Sequence, residues 1–138
     1  MIFLTIEDIC EINREWITRY GGRYVADNNN FLHKASLEYI LNAIQYTVYG
    51  VDRYPSLIDK AAALAWWINK GHVFNDGNKR TGMQAAIELL EINGAITRFD
   101  SESIVKIALQ IEGDKISVEE LSLEFSYFVE LPFSTNIN

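Results

Sequence analysis

A chain of 138 residues fits one domain and is long enough to bury a core without metals or disulfides. Its hydrophobic content of 49% excludes disorder, and a formal net charge of -7 excludes a bulk electrostatic grip on DNA or RNA, which needs a basic face. The single cysteine, Cys10, excludes an internal disulfide and fits a reducing compartment. It lies in an apolar pattern and reads as a small core residue rather than a nucleophile. No apolar run approaches the roughly 20 residues of a membrane helix, and the apolar start is too short for a signal peptide and lacks its basic beginning. The expectation is a soluble, cytoplasmic single domain over residues 1–138.

There is no internal repeat, low-complexity tract or linker, and helical periodicity dominates. Thr5 is expected to cap a first helix carrying Ile6, Ile9, Cys10, Trp16, Ile17 and Tyr20 near one face, with Gly21 and Gly22 as its stop. Residues 23–33 read as a loop centred on Asn28, Asn29 and Asn30. Ser36 is expected to cap a second helix with Leu37, Ile40, Leu41, Ile44 and Val48, ending before Gly50. Pro55 suits the first turn of a third helix, whose run from Ala61 to Ile68 is apolar on several sides and predicts the central, buried helix. A fourth helix is expected from Asn78 to Asn93, stopped by Gly94, and Ala95 to Phe99 is short enough to be extended. Ser101 opens a fifth helix with Ile104, Val105, Ala108 and Leu109. Ser117 and Glu120 form a capping box for a sixth, bearing Leu121, Phe125, Phe128 and Val129. The fold class is all-α, about six helices, without βαβ alternation.

Between the third and fourth helices stands His72-Val-Phe-Asn-Asp-Gly-Asn-Lys-Arg80. Gly77 permits a positive φ at the turn. The helix that follows offers unpaired N–H groups at Asn78, Lys79 and Arg80 and the positive end of its dipole, which suits an anion. Lys79 and Arg80 add positive charge where the dipole disfavours it, a misplacement that an anion would relieve. Phosphate is the natural anion for a lysine and an arginine together. Asp76 is a carboxylate suited to magnesium beside phosphate, and His72 supplies an imidazole, the side-chain type suited to take a proton from a hydroxyl near neutral pH. Phe74 between them is expected to point inward and anchor the loop. Base, metal ligand, anchor and phosphate cradle are what phosphoryl or nucleotidyl transfer requires. Singly, each residue has a blander reading: His72 as a capping or core histidine, Asp76 or Asn78 as a turn residue or helix cap, and Lys79 and Arg80 as solvated charges. Their coincidence on one loop favours the site.

At these residues the chain resembles the Fic/Doc superfamily, whose signature His-x-Phe-x-Asp/Glu-Gly-Asn is met by His72, Phe74, Asp76, Gly77 and Asn78, with Arg80 after it. The adenylylating members carry glycine where this chain has Lys79 and a second arginine where it has Met83. The run Asn78-Lys79-Arg80-Thr81 points instead to the Doc (death-on-curing) branch, and Arg19–Gly22, Asn93-Gly94, Phe99–Ser101 and Asp114–Val118 extend the likeness. The resemblance implies a toxin of a toxin–antitoxin pair: a kinase that transfers the γ-phosphate of ATP, with Mg2+, to a threonine of elongation factor Tu and so arrests translation. It also implies a small antitoxin whose C-terminal segment folds into the cleft. By position, His72 would be the general base, Asp76 the magnesium ligand, and Gly77, Asn78, Lys79 and Arg80 with the helix N-terminus the phosphate site. Lysine at the glycine position and the missing second arginine would let the nucleotide sit reversed, with its γ-phosphate at His72.

Arg19 and Lys70 are further candidates for the cleft, or ordinary surface charge, and His33 reads as a bystander. The 23–33 loop is either a flap that positions a target by strand-like pairing or a plain surface loop. Ser126 and Glu130 have the spacing of a self-inhibitory helix, but Leu131 follows and core packing is the preferred reading. Leu131 and Phe133 are apolar residues that would pack a partner or the core. The alternatives to a kinase are a Fic-type adenylyltransferase and a binding module that keeps the fold without catalysis. Neither direct nucleic-acid binding nor a membrane is expected.

Overall fold

Four helices begin with a reciprocal capping box, in which a side chain at the cap and one three residues on satisfy each other's backbone N–H. In the computed structural model, which describes residues 1–132, these are α1 (Ile6–Tyr20, capped by Thr5 and Asp8), α3 (Leu57–Lys70, Ser56 and Asp59), α5 (Ser101–Glu112, Asp100 and Ser103) and α6 (Val118–Ser126, Ser117 and Glu120). Each cap contributes about 1 kcal/mol. The remaining two, α2 (Lys34–Gln45) and α4 (Asn78–Ile92), have no side-chain cap, and both start beside the 72–77 loop. Helix dominates the described residues, with one two-stranded antiparallel sheet, β1 (Ile96–Thr97) against β2 (Val129–Glu130). No described helix is long and apolar enough to cross a membrane.

The all-helical expectation holds, and α3 is the central helix: Lys60 to Ala65, Ile68 and Asn69 are buried, and it packs against α2, α4, α5 and α6. Small residues permit the closest of these approaches. A Cβ on Gly82 of α4 would lie 2.8 Å from the carbonyl oxygen of Ala65, so a side chain there meets backbone. Lys60, 5% exposed, donates within this core to both oxygens of Asp52, at 3.2 and 3.1 Å, and to the Tyr54 carbonyl.

Several boundaries differ from expectation. Ser36 does not cap α2: the helix starts at Lys34, because Leu32 and His33 donate to the Val73 carbonyl (2.8 and 3.0 Å) and so fix the entry of the chain. Val48 is not on that helix either. It pairs with Val51 across a tight turn in which Tyr49 (φ 51°) and Gly50 (φ 77°) are both left-handed, the geometry of a type I′ hairpin turn. Pro55 precedes the α3 cap instead of lying in the first turn, whereas α5 opens at Ser101 as expected, behind an Asp100 cap. The sixth helix ends at Ser126, and Phe128 and Val129 leave it. Val129 and Glu130 instead pair with Thr97 and Ile96, and Glu130 meets Arg98 at 2.9 Å. Ser126 bonds the Leu123 carbonyl within its own helix. Ser126 and Glu130 therefore share no helix. Leu131 is partly exposed, and Phe133 lies outside the described residues.

Replacing Gly82 with alanine sets about 1 kcal/mol of gained helix propensity against 1–3 kcal/mol of overpacking on a backbone that cannot swing away. We expect a net loss of up to about 2 kcal/mol in urea unfolding; a gain in stability would show that α3 and α4 are less closely opposed.

Candidate active site

The loop between α3 and α4 is held from beneath by amides rather than by charge. Asn13 of α1, fully buried, donates to the Asp76 carbonyl at 2.9 Å and to Thr81 Oγ1 at 3.1 Å, and accepts from Asn30 Nδ2 at 3.0 Å. Asn30, also buried, accepts from the Val25 N–H at 2.9 Å through Oδ1 and from the Asn75 N–H at 2.8 Å through its carbonyl. One connected set thus ties α1, the 23–33 segment, the loop and the first turn of α4. The 23–33 segment, which contains a 3-10 turn at Ala26–Asn28, pairs with the loop itself: Phe31 bridges Phe74 in antiparallel fashion. Phe74 is fully buried and stacks on Phe31 at 5.2 Å, the anchor expected of it.

Gly77 (φ 79°) turns the chain into α4, and a Cβ there would come within 3.0 Å of Asn13 Nδ2. Having no side chain, it leaves the start of α4 uncapped and open to an anion. The Asn78 amide makes two 2.8 Å bonds back to the N–H and carbonyl of Phe74, so its side chain braces the loop and only its backbone N–H faces the helix start. Asp76 accepts from the Arg23 N–H through Oδ2 (2.8 Å) and from the Gly77 N–H through Oδ1 (2.9 Å). Each oxygen keeps a lone pair, which suits one carboxylate on a hydrated magnesium. The described residues contain no group of three or more His, Cys, Asp or Glu arranged as a metal cage, so such an ion would draw its remaining ligands from phosphate and water. His72 is exposed and has a left-handed backbone (φ 47°), an uncommon conformation for a residue other than glycine.

His72, Asp76, Gly77, Lys79 and Arg80 line one cleft of about 560 Å³, walled by α1, α4 and α5. Its far side is apolar, with Met83, Ile87, Ile104 and Ala108. Neither Arg19 nor Lys70, each readable as a cleft residue or as surface charge, lines this cleft. Arg19 faces a separate shallow hollow with Glu15 and Glu88, and Lys70 is paired with Asp114. Lys79 is in the cleft, but its Nζ lies 3.1 Å from Glu112 of α5, so its charge is turned from the helix start toward a carboxylate. Arg80 lies instead over the rings of Trp16 and Tyr20. Asn13, Asn30 and Thr81 were not singled out in the sequence as site residues. The signal for Asn13 is its place four residues from Ile9 and four from Ile17, a polar side chain within a buried stripe. Cys10 is partly buried against the core, and burial, then Glu7, pushes its thiol pKa up.

The profile of the Fic/DOC family matches residues 3–90, and the chain belongs to that family. It is similar to the protein named Toxin Doc of Mycolicibacterium smegmatis (strain ATCC 700084 / mc(2)155), 38% identical over 86 residues, or 61% of this chain and 66% of that protein. It is also similar to the Protein kinase doc of Escherichia phage P1, 26% identical over 122 residues, or 88% of this chain and 91% of that one. The stretch shared with the mycolicibacterial toxin is thus just under two thirds of that protein's own length.

Asn13→Ala would strip Asn30, Thr81 and the Asp76 carbonyl of partners in a buried place. The expected cost is about 2–3 kcal/mol, with faster amide exchange at residues 75–77. A variant with wild-type stability and loop protection would show that the amide network does not hold the loop.

Proposed function

We propose that this chain is a Doc-like toxin of a toxin–antitoxin pair and acts in the cytoplasm as a protein kinase, passing the γ-phosphate of ATP to a threonine hydroxyl. Elongation factor Tu is the target that the family resemblance implies, and arrest of translation the result. The observation that carries the reading is the convergence of His72, Asp76 and Arg80 on one cleft at an uncapped helix N-terminus. His72 takes the proton of the attacking hydroxyl. The α4 N–H groups and Arg80 hold and neutralise the phosphates, and Asp76 would hold magnesium, which supplies charge neutralisation when bound.

The likeness to a protein named as a kinase supports phosphoryl rather than nucleotidyl transfer. Met83 adds to this: it is apolar and 1% exposed where adenylylating relatives carry a second arginine, so that grip on a phosphate is missing. Lys79 contributes less than its position suggested, because its ammonium is on Glu112. An antitoxin segment is the expected partner of the cleft, whose apolar wall is open to one.

ATP labelled at the γ or the α phosphate separates the two transfers when incubated with cell extract or purified elongation factor Tu. We expect label on protein from the γ position, reduced on the order of a hundredfold or more by His72→Ala. Label from the α position alone would make the protein an adenylyltransferase. Growth arrest that survives both His72→Ala and Asp76→Ala would mean that catalysis is not its function.

A further inference from the structure

Arg80 has no carboxylate within ion-pair reach among the described residues. It also stands on the first turn of α4, where the helix dipole opposes a cation. What it meets is aromatic. Its guanidinium carbon lies 5.0 Å from the centre of the Tyr20 ring and 5.7 Å from that of Trp16. These two rings stack on each other at 4.8 Å with 27° between their planes. Both distances fall within the roughly 6 Å reach of cation–π attraction. Trp16 and Tyr20 are one turn apart on α1, so a single rigid helix builds the stack, and both rings line the cleft. Tyr20 is 54% exposed, so core packing does not account for its place.

A carboxylate here would hold Arg80 more firmly, but it would cancel the charge and repel phosphate. An aromatic face attracts the cation through its quadrupole and leaves the formal charge and the N–H fork available. The neighbouring residue shows the contrast, since Lys79 is paired with Glu112 and has its charge offset. We propose that Trp16 and Tyr20 are positioning residues: an aromatic ledge that keeps Arg80 extended into the cleft, ready to grip the polyphosphate of a nucleotide. The ledge rests on the phosphate-binding reading of the cleft and acts only through Arg80.

The test is calorimetric binding of pyrophosphate and of ATP to the full chain, for the unaltered protein, Tyr20→Leu, Tyr20→Phe, Arg80→Met and the double variant Tyr20→Leu/Arg80→Met. Tyr20→Leu should weaken both ligands on the order of three- to fivefold, while Tyr20→Phe, which keeps the face, should bind as the unaltered chain does. In the Arg80→Met background Tyr20→Leu should have no further effect, because its influence passes through the guanidinium. Without any ligand, the Arg80 δ-methylene protons should show an upfield ring-current shift that Tyr20→Phe preserves and Tyr20→Leu diminishes. Unchanged binding in Tyr20→Leu, or an equal loss with Arg80 already removed, overturns the ledge. No binding of either ligand by the unaltered chain overturns the ledge and the phosphate site together. An intact ledge without transfer of γ-phosphate would sink the kinase reading alone, and γ-transfer without coupling between Tyr20 and Arg80 would sink the ledge alone.

Discussion

The side-chain amide of Asn13 is the contact on which the loop between α3 and α4 depends. Burying an amide is unfavourable unless its donors and acceptor are satisfied. Here they are satisfied by groups from three different segments: Asn30, the Asp76 carbonyl and Thr81. The same requirement that makes the amide costly to bury makes the geometry around it narrow. A shift of the loop would break more than one hydrogen bond in a place where water does not readily replace them. Hydrophobic contacts alone would not specify the loop so closely, since they tolerate sliding. The Phe31–Phe74 stack supplies area beneath the loop, and the amides supply register.

Capping chemistry divides along the same line. Helices away from the loop are closed by their own side chains, as at Thr5, Ser56, Asp100 and Ser117. The start of α2 is set by the Val73 carbonyl, and that of α4 is left bare at Gly77. At these two starts no local side-chain cap is made, and long-range contacts fix the backbone. A bare start retains the orphan donors that phosphate needs.

Sequence reading recovered the helices and the central place of α3 because both depend on local periodicity and composition, visible in the alanine-rich run from Ala61. It found the loop because the charge placement at Lys79 and Arg80 is anomalous for a helix start. It misplaced the boundaries governed by distant partners. The entry to α2 depends on Val73, far along the chain, and the stretch after Ser126 leaves the helix to meet β1. For side-chain roles the same division holds. Phe74 was legible as an anchor from its apolar character within a polar loop. The direction taken by Lys79 was not, since Glu112 reaches it only once α5 folds across the cleft. For Arg19 and Lys70 the sequence left cleft and surface equally open, since it does not decide which way a long side chain on a helix end turns.

The engagement of both lysines flanking the loop has a consequence for encounter rather than for affinity. With Lys70 on Asp114 and Lys79 on Glu112, Arg80 is the cleft cation without a carboxylate partner among the described residues, on a chain whose net charge is -7. At distances beyond the cleft mouth, an approaching polyanion meets the field of the whole molecule, which is repulsive. On the proposed phosphate-binding reading, Arg80 and the α4 dipole would prevail only within the last few ångströms. Added salt then acts in opposite senses on the two stages: it screens the repulsion and quickens arrival, and it weakens the grip and quickens departure.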